Sequence, residues 1–337
     1  MRSRSMTMTD APLSTTDAEM PMRGPEQTDH RPAEGDAMSP APLPWLDRTL
    51  RSFGHQRWLR YGVRDRVLRF LRDPERAPPS TFEVPFAGFV YPGRMNRWLD
   101  WIVYYHGAYE LDELELMRSL LSHRPQAVAL DVGANVGHHS LYLASFCTQV
   151  HSFEPYDVVA VCLDEKIRRN HIEHVQVHRV GLSDRDQQLE FFAPQGINTG
   201  TGTFVATHEP LNNRPAGHLK LVHADRYLAA LDLQAVDLVK IDVEGFETTV
   251  LRGLRATLAR YRPIVMLELS DLARTEFADT AAFMALFPPG YEAKVVRGQR
   301  HRFGLLGRRG CTLEPLRWHH DPLPGGYINL LLRPQAE

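Results

Sequence analysis

The segment LDVGANVG at residues 130–137 decides the fold, because it reads as the end of a buried strand, a glycine turn and the start of a helix. The apolar run 127–132 leads into this segment, and helical periodicity begins directly after it. Glycine in such a turn lets a ligand approach the backbone closely, and the helix N-terminus supplies unpaired N–H donors. The segment therefore predicts a ligand-binding strand–turn–helix unit in which Gly133, Asn135 and Gly137 contact the ligand.

Short apolar runs recur after this segment, and amphipathic helical stretches separate most of them. Apolar runs without polar alternation are typical of strands buried on both faces of a parallel sheet. Repeated strand–helix units predict an α/β fold, with a doubly wound, mostly parallel, seven-stranded Rossmann-like sheet. The last two runs predict an antiparallel pair at one edge of this sheet. The runs occupy residues 150–153, 175–180, 236–241, 264–269, 291–296 and 327–332.

The sequence divides into three predicted regions. Residues 1–44 are poor in aromatic side chains and rich in Pro, Ser, Thr and Met, so we expect this segment to be disordered. Residues 45–124 predict a mostly helical N-terminal extension, with short strands within 82–91 and a helix from about 111 to 121. Residues 125–337 form the predicted α/β domain.

Composition excludes several classes of protein. The 337 residues carry 39 basic and 41 acidic side chains, so no nucleic acid partner is expected. The 3 cysteines form neither a disulfide framework nor a zinc pattern, which favours a reducing compartment. No apolar run approaches the ~20 residues of a membrane helix, and no signal peptide is evident. We therefore expect a cytoplasmic globular protein, and the oligomeric state is left open.

Residues 45–76 combine nine arginines and four acidic residues with regularly spaced apolar side chains. One interpretation is a basic amphipathic helix that makes peripheral contact with an anionic membrane or polymer. The other is a helical cap that packs on the α/β domain and leaves its arginines in solvent. Arginine is abundant along the whole chain, which favours the helical cap.

Acidic residues follow three successive predicted strands of the α/β domain, at Asp131, Glu154 and Asp184. Asp131 suits an amino group, Glu154 is placed to accept both ribose hydroxyls, and Asp184 is placed to accept from an adenine amino group. Together the three carboxylates describe S-adenosylmethionine. A dinucleotide would instead place its pyrophosphate at the glycine turn, and Asp131 and the missing middle glycine of G-x-G-x-x-G count against NAD.

These motifs resemble the FkbM-type methyltransferases, a branch of the class I S-adenosylmethionine-dependent methyltransferases. The resemblance implies a methyltransferase domain over 125–337 that O-methylates a hydroxyl of a carbohydrate, glycolipid or polyketide-like product. Two departures are the Ala224-Asp225 pair, where the family has Leu-Asp, and the unmatched Arg-rich stretch 297–317. The matching pieces are residues 130–137, 153–155, 182–184, 237–253 and 263–268, of which 240–247 resembles the family's most specific motif.

The predicted catalytic end lies at the tip of the fourth strand, where Lys240, Asp242 and Glu244 share one side of an extended backbone. We expect Lys240 to pair with an acid, because an unpaired lysine in an apolar strand is costly. Asp242 or Glu244 is expected to contact the acceptor hydroxyl or the methionine moiety, although Glu244 and Glu247 also suit the start of a helix. A divalent metal bridging Asp242 and a second carboxylate is a further option without an assigned ligand set.

His138 and His139 begin the helix after the glycine turn, where one of them could serve as general base. Residues 198–202 form a polar loop that either closes over the acceptor or only turns a hairpin. Arginines within 51–76 and 297–317 hint at an anionic acceptor. Two other functions stay open: an NAD-dependent oxidoreductase, and a non-catalytic partner protein built on a degenerate methyltransferase domain.

Overall fold

The computed structural model describes residues 45–198, 200–204, 213–298, 310–318 and 326–335. The predicted disorder of residues 1–44 therefore concerns residues outside the described part.

The described elements alternate between strands and helices from the glycine turn onward, as the repeated apolar runs indicated. The helices are α1 (Trp45–Gly54), α2 (Tyr61–Leu71), α3 (Trp98–His106), α4 (Leu111–Leu121), α5 (His138–Ala144), α6 (Asp157–Arg169), α7 (Ala224–Ala229), α8 (Glu247–Gly253), α9 (Arg255–Tyr261), α10 (Asp271–Thr275) and α11 (Thr280–Met284). The strands are β1 (Thr81–Phe86), β2 (Phe89–Arg94), β3 (Val128–Val132), β4 (Gln149–Phe153), β5 (Val175–His178), β6 (Gly181–Ser183), β7 (Gln187–Ala193), β8 (Arg214–His223), β9 (Leu238–Ile241), β10 (Ile264–Ser270), β11 (Tyr291–Gly298), β12 (Cys311–Pro315) and β13 (Tyr327–Pro334).

The central sheet has eight strands within the described residues, in the order β12-β11-β13-β10-β9-β3-β4-β5. Strands β10, β9, β3, β4 and β5 run parallel, and β13, β11 and β12 are antiparallel. The α/β class and the mostly parallel sheet are thus confirmed, whereas the count of seven strands is wrong. The extra edge strand β12 is almost entirely solvent-exposed, so it lacks the apolar run by which the other strands were found.

A second sheet, with three strands in the order β6-β8-β7, is a further difference from the predicted fold. The apolar run 175–180 was interpreted as one strand that leads directly to Asp184. The chain instead leaves the central sheet at His178 and re-pairs at Gly181, where β6 runs parallel to β8. Asp184 therefore follows a strand of the second sheet and does not stand at a tip of the central one.

Both faces of the central sheet are covered. Ala129 of β3 packs in a core that it shares with Trp101 of α3 and Leu68 of α2. Its neighbour Leu130 points into a second core that includes Leu251 of α8. The N-terminal elements α1 to α4, with the β1–β2 hairpin, thus share a hydrophobic core with the sheet that carries the glycine turn.

Polar contacts attach the hairpin to its neighbours. The Asp100 carboxylate of α3 accepts hydrogen bonds from the Tyr91 hydroxyl at 2.8 Å and from the Arg94 N–H at 2.9 Å. The Lys166 ammonium of α6 lies 4.3 Å from the centre of the Tyr91 ring, a cation–π contact.

None of the helices that the structure describes is long and apolar enough to cross a lipid bilayer.

Candidate active site

At the glycine turn after β3, the backbone of the turn lies very close to the backbone that follows β9. Gly133 has φ 85°, and a Cβ placed there would lie 1.8 Å from the carbonyl oxygen of Asp242. Gly137 has φ 84°, and its Cβ would lie 2.3 Å from Leu163 Cδ1 of α6. Only glycine fits both positions, so the sequence requirement at the turn follows from β9 and α6 pressing against it.

A cavity of about 550 Å³ opens at the carboxyl ends of β3, β4 and β9, where ligands of open α/β sheets bind. Six of the ten predicted site residues line it, and the other four do not line it directly. The predicted residues on its wall are Gly133, Asn135, His138, Glu154, Asp242 and Glu244, and His139, the alternative base, joins them.

Four of the ten predicted residues lie off the cavity wall. These four are Gly137, Asp131, Lys240 and Asp184.

Glu154 stands on the cavity wall at the tip of β4, next to the glycine turn. Its Oε2 accepts the Asn135 N–H at 2.8 Å, and its Oε1 accepts the Tyr156 N–H at 2.9 Å. Each oxygen keeps a free lone pair for a further donor. Burial raises the pKa of Glu154 to about 7, and the two N–H donors oppose that rise. The carboxylate is therefore held in one orientation, ready to accept from a diol.

Asp131 is placed differently from the prediction. Its side chain is 1% exposed, and its Oδ2 accepts a hydrogen bond from Ser140 Oγ of α5 at 2.6 Å. Ser140 Oγ also lies 2.7 Å from Ser152 Oγ of β4. Burial raises the pKa of Asp131 to about 6, and the Ser140 hydrogen bond opposes the rise. Asp131 thus joins β3, β4 and α5 behind the wall, instead of meeting a ligand amino group directly.

Asp184 lies away from the cavity, because it follows β6 of the second sheet. Its nearest polar partners are Ser183 Oγ at 3.4 Å and the Arg185 guanidinium at 3.7 Å. The cavity wall nearest to it is formed by Gly181 and Leu182, which offer backbone and apolar surface. The predicted adenine contact of the Asp184 carboxylate therefore does not fit this geometry.

Lys240 and Asp242 form the predicted ion pair, with Lys240 Nζ 3.0 Å from Asp242 Oδ2. The lysine is buried behind the wall, whereas Asp242 lines the cavity. Burial alone would lower the pKa of Lys240, but nearby carboxylates together raise it. These carboxylates are Asp242, Glu110, Glu268 and Asp131. Lys240 therefore acts as the counter-charge of an acidic cluster and has no direct access to a ligand.

Glu244 adopts φ 50°, and its carbonyl oxygen accepts a hydrogen bond from Thr203 Oγ1 at 2.9 Å. Burial and the nearby Asp242 charge raise the pKa of Glu244 to about 8. Glu247 plays a structural part: its Oε1 accepts the Gly245 N–H at 2.7 Å, and its Oε2 accepts Ser270 Oγ at 2.8 Å. Glu247 thereby fixes the loop between β9 and α8 to the end of β10.

The two histidines of α5 both line the cavity, with different partners. His138 Nε2 lies 3.0 Å from the Tyr109 carbonyl oxygen, so that nitrogen is engaged with the backbone. His139 Nε2 lies 3.6 Å from Glu110 Oε2, beyond hydrogen-bond distance. Burial lowers the pKa of each histidine to about 3. Both imidazoles are therefore neutral near pH 7.

Several wall residues come from segments that sequence reasoning did not connect with the site. They are aromatic side chains, brought in because α3, the segment that follows it, the segments after β4 and in β7, and the start of β13 border the cavity. The backbone N–H of Trp98 donates to the Ile197 carbonyl at 3.0 Å and so holds the start of α3 against the segment that leads into the polar loop. No local motif marked these positions, since their role depends on tertiary packing. They are Trp98, Tyr109, Tyr156, Phe191 and Tyr327.

The polar loop does reach the cavity, as one of its two interpretations proposed. Asn198, Gly200, Thr201 and Gly202 are on the wall. A Cβ at Gly200 would lie 2.6 Å from Asn135 Nδ2, so the loop packs directly over the glycine turn.

No group of three or more His, Cys, Asp or Glu side chains is arranged to hold a metal ion in the stretches that the structure describes.

Comparison with known proteins identifies the domain. A family model described as a methyltransferase FkbM domain matches residues 131–297. The AMB antimetabolite synthetase AmbE of Pseudomonas aeruginosa is 32% identical over 182 residues, which cover 44% of this chain and 8% of that protein. Methyltransferase 1 of Beauveria bassiana is 28% identical over 144 residues, which cover 37% of this chain and 57% of that protein. The chain thus spans less than two thirds of either relative.

A solved methyltransferase FkbM from Methylobacillus flagellatus KT is also similar, at 16% identity and a TM-score of 0.39, covering 85% of this chain and 59% of that one. The fold, the cavity at the strand tips and the family match define a methyltransferase domain over residues 131–297. Residues 131–297 belong to the FkbM methyltransferase family.

Proposed function

We propose that the chain is an S-adenosylmethionine-dependent O-methyltransferase that acts on a hydroxyl of a carbohydrate, glycolipid or secondary metabolite. The observation that carries this proposal is Glu154, whose two oxygens are fixed by backbone N–H groups beside the glycine turn. A carboxylate at the tip of the second strand is placed to accept both hydroxyls of a ribose.

The residues present fit the methyl donor. Gly133 presents backbone on the cavity wall, and Glu154 supplies the ribose acceptor. Gly181 and Leu182 supply apolar surface for the adenine ring of this donor. When bound, S-adenosylmethionine supplies an electrophilic methyl group on a sulfonium centre. The positive charge of that centre suits the acidic wall around Asp242.

The chain's own residues would orient the acceptor and remove its proton. Aligning acceptor oxygen, methyl carbon and sulfur is a positioning task. We assign the base to His139, because it lies on the wall with its Nε2 3.6 Å from Glu110 Oε2, a carboxylate that would stabilise the protonated ring, whereas His138 Nε2 is engaged with the Tyr109 carbonyl. Asp242 and Glu244, on the same wall, would accept hydrogen bonds from acceptor hydroxyls.

The charges of the wall favour a neutral or cationic acceptor over the anionic one that the arginines suggested. Six carboxylates and no lysine or arginine line the cavity within the described residues. Several arginines of the N-terminal extension are instead used in ion pairs, such as Arg57 with Asp112 and Arg72 with Asp47. The carboxylates on the wall are Glu154, Asp242, Glu244, Glu247, Glu268 and Asp271.

Calorimetric titration with S-adenosylhomocysteine, beside NAD, tests the cofactor assignment. We expect binding of S-adenosylhomocysteine alone. Glu154→Ala should weaken it by ~1.5–3 kcal/mol, roughly 10- to 150-fold in Kd, because the ribose hydroxyls lose a charged acceptor. Asp184→Ala is the matched control and should leave the affinity unchanged, since that carboxylate is off the wall. Equal weakening by both variants, or binding of NAD alone, would contradict the assignment.

The acceptor class is tested separately on protein saturated with S-adenosylhomocysteine. Glucosamine should bind at least about tenfold more tightly than glucuronate, because like charges at a poorly solvated wall repel. Asp242→Asn, at another carboxylate of the wall, should narrow this difference in affinity. Tighter binding of glucuronate would overturn the acceptor class and leave the cofactor assignment intact.

A further inference from the structure

Exposed apolar side chains are concentrated at the N-terminal helices. Within the described residues, six of the nine exposed large hydrophobic side chains lie between positions 45 and 71. Phe70 is 87% exposed and Trp45 is 77% exposed. Soluble proteins rarely leave large apolar groups together in water without a binding purpose.

Four of these side chains occupy one end of the helix pair, and we call them the apolar ridge: Trp45, Val67, Phe70 and Leu71. Val67, Phe70 and Leu71 are spaced i, i+3 and i+4 on α2, so they share one face of that helix. Arg72, which follows α2, donates to Asp47 Oδ1 of α1 at 2.7 Å. This contact brings the start of α1, where Trp45 lies, to the end of α2.

The opposite faces of both helices are already used. Leu50 of α1 and Leu68 of α2 are buried in the core shared with the sheet. The apolar ridge is therefore not needed to hold the helices on the protein.

The charges beside the apolar ridge are basic. Residues 45–76 hold nine arginines and four acidic residues. Asp47, Asp65 and Asp73 each form an ion pair with an arginine of the same region. Arg48 and Arg66 are exposed, and neither has an ion-pair partner among the described residues. These two guanidinium groups are available to an anionic partner.

We propose that the apolar ridge and its arginines dock the protein on an anionic lipid surface. A helix face with Trp, Phe and Leu, flanked by arginines, inserts its apolar side chains at the headgroup boundary and pairs its cations with lipid phosphates. A second copy of the chain is a poorer occupant, because a two-fold interface would set the same arginines against each other. The inference is independent of the proposed function.

Vesicle cosedimentation of the full chain tests the surface without cofactor or acceptor. We expect binding to vesicles of phosphatidylcholine with phosphatidylserine, and at least about tenfold weaker binding to phosphatidylcholine alone. Phe70→Asp should reduce the bound fraction on anionic vesicles at least about fivefold. Val161→Asp, at an exposed valine of α6, is the matched control and should bind like the wild type.

Combining Arg48→Gln with Arg66→Gln should remove most of the preference for anionic vesicles. Because all of these positions are exposed, thermal unfolding should be unchanged in every variant. No binding to anionic vesicles, or equal binding by Phe70→Asp and the wild type, would overturn the proposal. A dimer in lipid-free solution that Phe70→Asp dissociates would assign the ridge to a second copy and overturn it as well.

Discussion

Replacing Lys240 with methionine is expected to lower the free energy of unfolding by about 3–5 kcal/mol, the usual cost of removing one partner of a buried ion pair. Methionine matches the length of the lysine stem, so the loss reports charge and not a cavity. Four carboxylates act on Lys240, and without it they would be left close together with no counter-charge. They are Asp242, Glu110, Glu268 and Asp131.

The deficit of Lys240→Met should grow with pH. Burial raises the pKa of Asp131 to about 6 and that of Glu268 well above its usual value, and Lys240 opposes both rises. Without the lysine both pKa values rise further, so the native state binds more protons than the unfolded chain. Stability then falls as pH increases. The loss should therefore be larger near pH ~8 than near pH ~5.

Urea unfolding at the two pH values measures this effect. Lys294→Met is the matched control, because Lys294 Nζ lies 3.3 Å from Glu292 Oε2 in a more exposed pair. That change should cost at most about 1 kcal/mol. Equal losses from the two variants, or a Lys240→Met deficit that shrinks at high pH, would show that Lys240 is not the counter-charge of the cluster.

The sequence alone predicts those parts of the site that short local motifs encode. The glycine turn, Glu154 and the Lys240–Asp242 pair follow directly from short motifs at strand ends, where the parallel topology makes them neighbours. The family resemblance agreed with those motifs, and the family match over 131–297 confirms it.

The structure departs from the predicted positions where non-local features, either strand order or tertiary packing, decide the outcome. Asp184 was predicted at a third tip, but β6 joins another sheet, and nothing in the run 175–180 marks the change. Asp131 does stand at the tip of β3, yet Ser140 draws its carboxylate behind the wall. Tyr109 and Tyr327 reach the cavity from opposite ends of the sequence, a proximity set only by tertiary packing.

Gly133→Ala is expected to lower the free energy of unfolding by roughly 3–5 kcal/mol and to abolish measurable binding of S-adenosylhomocysteine. A non-glycine residue in an unfavourable backbone region costs about 1–3 kcal/mol, and overpacking adds about 1–3 kcal/mol. The added methyl group would lie 1.8 Å from the Asp242 carbonyl oxygen, which is backbone and cannot rotate away. Since the Asp242 N–H donates to the Val132 carbonyl at 3.0 Å, relief requires parting the tips of β3 and β9.

Alanine substitutions at two further glycines should give smaller losses of stability, so the three variants can be ranked. Gly137→Ala also imposes a left-handed backbone, but its methyl group meets the Leu163 side chain, which can shift, so its loss should be smaller. Gly196→Ala meets nothing within 4 Å and should stay within about 0.5 kcal/mol of the wild type. Chemical denaturation and calorimetry on the three variants should give the order Gly133, Gly137, Gly196. A Gly133→Ala protein as stable as Gly196→Ala would mean that β9 does not press on the turn, and the close approach that shapes the ligand cavity would be wrong.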